Sequence, residues 1–391
     1  MPISKHYLIE LLCRDVGLTS AEEASSFRQL CRLIEALLHY QFHQKLEKLK
    51  QLYEAFDPDS LTLRPPELPG TSRSRLEEVL HELEHLLERA NFERLSRSDI
   101  EAAMNRAGRW GVNFQVPFEA LEELRLYYRH EDIELEKKSA RLWGLVPERE
   151  VASPVYNEVL LIVYFRADAD VPAFVDKQCL YIKLFKDTHK DDLEMLIPGV
   201  KIRIKALDKL KIGMPLLFGT LMFLGKIAFS AAVTLATGLM GLISWLGLVC
   251  APLGYGFRSY YGYISTRQRY QLTMSQSLYY QNVANNLAAF SHLIDQAEAQ
   301  EFREIILAWA FLWKHAPDRG WTSTELDRSI EEYLSRTAGL HRDFEIDDAL
   351  AKLDYWGLAH ADAQGRWHAT PLDKGLRHLD CLWDNFFCHN N

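Results

Sequence analysis

His81-Glu82-Leu83-Glu84-His85 matches HExxH, the string in which two histidines one helical turn apart hold zinc and the glutamate acts as general base. Composition alone produces such a match readily on a charge-rich helix. Both histidines point away from the Leu76, Val79, Leu80 and Leu83 stripe, and no third ligand follows at a familiar spacing. His39 and His43 form a second pair one turn apart. Two such pairs on neighbouring helices would make a four-histidine metal site; paired surface histidines are the plainer reading. Arg166, Lys183, Lys186 and Asp187 fall near the ends of expected strands, where a ligand-binding cleft and a solvated rim are the alternatives. There is no phosphate-cradling glycine loop, no GxSxG, and no cysteine with a ligand-spaced partner. These residues assemble no catalytic constellation and imply no cofactor.

The elements that must carry these groups follow from composition and periodicity. A chain of 391 residues suggests two or three domains, and 48% hydrophobic with 25% charged residues is a globular mixture. The net charge of −9 argues against nucleic acid as a partner, because phosphate contacts need clustered Lys and Arg. Six scattered cysteines without a CxxC pair fit a reducing compartment.

Residues 1–115 read as helical. Phe27, Leu30, Ile34, Leu37, Leu38 and Phe42 recur at three and four, and Leu76 to Leu87 repeats the pattern. A third helix is predicted from Ser98 to Arg109. Over 116–206 the texture changes to short β-branched and aromatic runs, Leu124–Tyr128, Val159–Phe165, Cys179–Phe185 and Val200–Ile204. They predict a small, mostly antiparallel sheet.

Residues 207–262 hold the most apolar block, in which only Lys226 is charged between Ile212 and Phe257. A spanning helix needs about 20 apolar residues, so the block predicts a two-helix transmembrane hairpin with spans at about 212–234 and 238–257. Basic flanks, Lys201 to Lys211 and Arg258 to Arg269, place both ends on the cytoplasmic side. Lys226 reads as a snorkelling side chain or as the lining of an ion path. Ser244, Gly247, Ala251 and Gly254 form a small-residue stripe, suited to packing within the hairpin or to self-association.

A long helical stretch over 263–318 follows, and 319–391 orders itself as helix, helix, hairpin, helix, like a winged-helix module. From Trp321 onward seven Lys/Arg face thirteen Asp/Glu. Such a surface repels phosphate and suits a protein contact better than DNA. The fold class expected is an α+β membrane protein: an N-terminal helical region, the sheet, the hairpin, and a C-terminal helical and winged-helix-like domain.

The segments Leu180–Asp187, Asp191–Gly199, Leu207–Gly213 and Gln276–Asn282 with Asn285-Asn286 carry a family pattern. Phe42-His43, Trp321-Thr322 and Phe344-Glu345-Ile346 extend it over most of the chain. Together they resemble the transmembrane protein 143-like family. That resemblance implies two spans with helical flanks and offers no activity or catalytic residue to carry over. Animal members include mitochondrial proteins; the absence of a presequence in Met1–Leu12 favours a bacterial inner membrane here. The function expected is a membrane-anchored, non-enzymatic binding or self-assembling module. Its partners would be the bilayer, a second copy, and a cytoplasmic protein at the acidic C-terminal end. An oligomeric channel is the alternative, and a metal-dependent hydrolase through the HExxH string the third.

Overall fold

The computed structural model describes residues 3–15, 17, 20–60, 72–96, 98–100, 113–115, 118–138, 149–169, 171, 175–198, 201–203, 261, 264–265, 268–269, 271–339, 344 and 346–385. Helices α1 (Lys5–Asp15), α2 (Ala21–Tyr53) and α3 (Ser72–Arg89) come first. Strands β1 (Glu93–Arg94), β2 (Asn113–Gln115), β3 (Leu121–Lys138), β4 (Arg149–Phe165) and β5 (Leu180–His189) follow. Then come α4 (Leu193–Leu196), β6 (Lys201–Arg203), β7 (Asn282–Asn285) and the long α5 (Leu287–Lys314). The chain ends with α6 (Ser323–Ala338), α7 (Ile346–Tyr355), a hairpin of β8 (Ala359–Ala361) and β9 (Trp367–Ala369), and α8 (Leu372–Asn385).

Two compact units result, one of Met1–Phe92 with Leu287–Asn391, the other of Glu93–Asn286. The chain's two ends, read separately in the sequence, thus meet in one helical unit. Its α2 starts at Ser20, whose side chain accepts the Glu23 amide, and it buries the Phe27, Leu30, Ile34, Leu37, Leu38 and Phe42 stripe. At its centre every residue of α5 from Gln300 to Leu312 is buried. A helix covered all round is normally apolar, yet this one carries Glu298, Glu301, Arg303 and Glu304. Partners make that burial tolerable. Lys5 Nζ and His39 Nδ1 lie 3.2 and 3.0 Å from Glu298, and Arg89 and Lys352 both close on Glu301. Further along, Thr322 and Glu325 form the capping box that opens α6, and Gly339 closes it with φ 63°.

In the other unit the strand order is β1-β3-β4-β5-β7, antiparallel throughout, with β2 and β6 as a separate pair. Leu126, Val159, Leu161, Val163 and Phe185 share one buried cluster. Tyr127, Leu160, Ile162, Leu180, Ile182 and Leu184 are buried on the alternate positions. A sheet covered on both faces explains why β4 reads as the unbroken run Val159–Val163 rather than as an alternation.

The long helical stretch expected over 263–318 is interrupted. Residues 271–281 are helical, Asn282–Asn285 then extends as edge strand β7, and α5 begins at Leu287. Asn286, buried with φ 50°, makes the turn. Its amide donates to the Ile182 carbonyl at 2.7 Å and its Oδ1 accepts the Ile182 amide at 3.2 Å. A side-chain oxygen completes the ladder that the backbone leaves, and helical periodicity does not report such a bond.

Among the described residues no helix is long and apolar enough to cross a membrane. The long helices α2, α3 and α5 each carry several charged residues, which a hydrocarbon core would not tolerate. The expectation of a membrane protein with a transmembrane hairpin, multi-pass in a bacterial inner membrane with both termini cytoplasmic, is corrected on that finding. The segment 212–257, with Lys226, Ser244, Gly247, Ala251 and Gly254, lies outside the described residues, as does most of the helix predicted from Ser98 to Arg109.

Candidate functional site

The β3–β4 ladder slips once. Leu121 pairs with Phe165 and Glu123 with Tyr164, so Glu122 has no residue opposite it. One extra residue in a strand is a β-bulge, a device that bends the strand and re-aims a side chain. The short 3-10 turn Phe118–Ala120 leads into the bulge, and the Arg166 amide ties it down by donating to the Ala120 carbonyl at 3.0 Å. Glu122 is left exposed.

On the neighbouring edge, β1 pairs Glu93 with Tyr128 and Arg94 with Tyr127, and the Leu95 amide donates to the Leu126 carbonyl at 2.9 Å. A turn then brings Ile100 inward. The Ser96 hydroxyl donates to the Asp99 carboxylate and accepts the Asp99 amide, while the Ile100 amide donates to the Ser96 carbonyl at 3.1 Å. The hydroxyl contact holds the Asp99 carboxyl below its usual range.

Between these segments lies a cavity of about 280 Å³. Leu95, Ile100, Phe118, Leu121 and Leu124 make its apolar floor, continuous with the sheet's core cluster. Arg94, Glu122 and Glu123 line it as well. Glu123 Oε2 stands 3.4 Å from Arg125 Nε. An apolar cavity of about 150 Å³ already accepts benzene, so this one has room for a ring with a short tail.

The far end of the sheet is polar. Tyr128 and Tyr156 lie in tilted ring contact with centroids 4.5 Å apart, and the Tyr128 hydroxyl donates to Glu93, which pushes its pKa up. Ser153 Oγ is 3.4 Å from His189 Nδ1, and His189 Nε2 is 3.5 Å from Glu134 Oε2. Those residue types occur in nucleophilic triads, but proton transfer wants about 2.6–3.2 Å between donor and acceptor. Ser153 and His189 are also both buried. The arrangement is a packed polar contact.

The residues singled out in the sequence lie elsewhere. His81 and His85 are exposed with ring centroids 4.6 Å apart; Glu82 binds Lys48 at 2.5 Å, and His85 stands 3.5 Å from Glu88. His39 leans on Glu298 and stacks on His43 at 6.4 Å. Among the described residues no group of three or more His, Cys, Asp or Glu side chains is placed to hold a metal ion. Arg166 forms a fork with Asp168 at 3.1 and 3.3 Å. Lys186 sits opposite Glu158, Lys183 opposite Leu161 and Asn285, and the Asp187 carbonyl accepts Gln281 Nε2 at 3.1 Å. Tyr164, two residues before Arg166, pairs with Leu180; six strand residues, about 20 Å, separate Leu180 from Lys186. Arg166 and Lys186 therefore do not share a cleft.

At the C-terminal end, Asp347, Asp348 and Asp354 of α7 are exposed, while its one lysine, Lys352, turns inward to Glu301. The outward face of α7 is left without a cation.

Together the fold and the cavity define a mixed helix-and-sheet protein with a ligand-sized recess beside a strand bulge. The model of a family described as a protein of unknown function, DUF3754, matches residues 122–288. That stretch runs from the bulge residue Glu122 through β7 and takes in part of the cavity wall. No solved structure matches the chain.

Proposed function

We propose that the protein is a non-enzymatic binding module whose sheet unit takes a small ligand in the cavity beside the bulge. The observation that carries this reading is the coincidence of two features. Glu122, the extra residue at the β3–β4 register shift, lines a recess whose floor is the unit's own apolar core. Ligand sites are typically apolar hollows with a few placed polar groups, and bulges gather beside such sites. The histidine pairs and the Ser153–His189–Glu134 contact supply no competing chemistry of comparable geometry.

Ligand-observed NMR with a library of small fragments tests the reading, run on the full chain and on Leu124→Trp, which fills the recess. A set of fragments should bind the parent protein and be lost from the variant, with circular dichroism of the two unchanged. Identical hit sets, or no hits at all, would count against the cavity as the working site.

A second reading concerns α7. The inward turn of Lys352 leaves Asp347, Asp348 and Asp354 facing out, and that face suits a basic protein surface. Chemical cross-linking that places a partner's lysines on Asp347 and Asp354 would support it; cross-links confined to other faces would oppose it.

A further inference from the structure

Resting on the cavity reading, the geometry points to a small amphipathic amine as the ligand: an apolar body on the Leu95–Phe118–Leu124 floor and an ammonium at the Glu122 carboxylate. The charges around the recess decide the sign of the head group. Glu123 is answered by Arg125 at 3.4 Å, and Arg94 has a partner of its own within the protein. Among the described residues Glu122 has neither an ion pair nor a hydrogen bond, and the bulge gives it no cross-strand neighbour that could provide one. It is the charge at this site that the protein leaves to solvent. A carboxylate accepts most strongly from a cationic donor.

The floor and the volume decide the rest. The five apolar side chains offer no hydrogen bond, so the part of a ligand that rests on them is hydrocarbon, while Arg94, Glu122 and Glu123 present the polar side of the lining. A recess of about 280 Å³ admits one aromatic ring and a short linker but no polycyclic frame. The ammonium on such a linker reaches the rim while the ring stays on Phe118 and Leu124.

The test is isothermal titration of the full chain with three probes of nearly equal size: phenethylamine, 2-phenylethanol and 3-phenylpropionate. Wild type, Glu122→Gln and Leu124→Trp are compared. The amine should bind about tenfold more tightly than the carboxylate, an exposed charge contact being worth no more than this. That preference should vanish in Glu122→Gln, where all three bind alike, and every probe should be lost with Leu124→Trp. If the three probes bind wild type equally, or the carboxylate binds best, the amine inference is overturned and the cavity stands. If none binds, or all still bind Leu124→Trp, the cavity reading falls and the amine inference with it.

Discussion

His130 and Asp187 stand on either side of Asn157 with the same left-handed backbone, φ 60° and 49°. The ladders pair Arg129 with Glu158 and Glu158 with Lys186, then resume at Glu131–Tyr156 and Tyr156–Thr188. Each of the three strands thus leaves one residue out of the pairing on a common line. Alternation reverses there. Tyr156 and Val159, three apart in β4, belong to the same buried cluster, and Tyr156 packs against Tyr128. A regular strand would put positions three apart on opposite faces. The kink turns the polar arm of the sheet, with His189 and Ser153, relative to the apolar part that floors the cavity.

That geometry predicts how Asp187 responds to substitution. L residues at positive φ carry a steric cost that glycine escapes and that Asp and Asn partly avoid. Asp187→Gly and Asp187→Asn should keep the urea midpoint near wild type. Asp187→Val should lose about 1–2 kcal/mol relative to Asp187→Gly. The Gln281 bond goes to the Asp187 backbone carbonyl, so side-chain loss does not confuse the comparison. Equal stability of the valine and glycine variants would remove the kink from the account.

Glu194 predicts a pH dependence. Its carboxyl is buried, one oxygen finds no hydrogen-bond partner among the described residues, and burial with Asp192 and Asp191 nearby pushes its pKa up to about 7 from an ordinary 4.5. Between those values the folded state holds a proton that the unfolded state releases, so stability is full below about pH 4.5 and falls as pH rises toward 7. Glu194→Gln should flatten that slope and exceed wild type at pH 7.5 by on the order of 1 kcal/mol. Parallel stability curves for the two proteins between pH 4.5 and 7.5 would contradict the assignment.

Glu301 should be the most sensitive polar position of the helical unit. Arg89 of α3 and Lys352 of α7 share its carboxylate, and all three side chains are largely buried. Burial pushes both cations below their usual pKa range, Lys352 further because Arg89 lies beside it. Glu301→Ala strands two cations and should cost about 3–5 kcal/mol in chemical denaturation. Adding Arg89→Met and Lys352→Met should recover much of the loss. A loss under about 1 kcal/mol would place these charges in a weakly coupled surface network.

The α7 surface gives a prediction against nucleic acid. With Lys352 committed to Glu301, a helix set like a recognition helix offers Asp347, Asp348 and Asp354 and no cation. Duplex DNA should migrate unretarded with the full chain at roughly 150 mM salt. A retarded band that weakens steeply with added salt would show a basic surface elsewhere.

Much of the architecture was legible because it rests on local chemistry. Runs such as Val159–Phe165 and Cys179–Phe185 are rich in β-branched and aromatic residues and became β4 and β5. The Thr322/Glu325 spacing became a capping box. The continuation of β3 beyond His130 was not legible, because Glu131 to Leu135 is exposed and its apolar members Ile133 and Leu135 bury nothing. Asn282–Asn285 was misread because its strand depends on a partner about a hundred residues away. The cavity had no signal at all. Its walls come from segments about twenty residues apart, and a bulge is a property of register between strands, which composition does not encode. The histidine string, conspicuous in sequence, proved to be solvent-facing side chains on a helix whose other face does the packing.

The most direct test of the central claim is a crystal structure of the protein soaked with phenethylamine. The ring should lie against Phe118 and Leu124, with the ammonium within about 3 Å of a Glu122 carboxylate oxygen. A recess holding only water at saturating amine, or the amine bound at another surface, would contradict it.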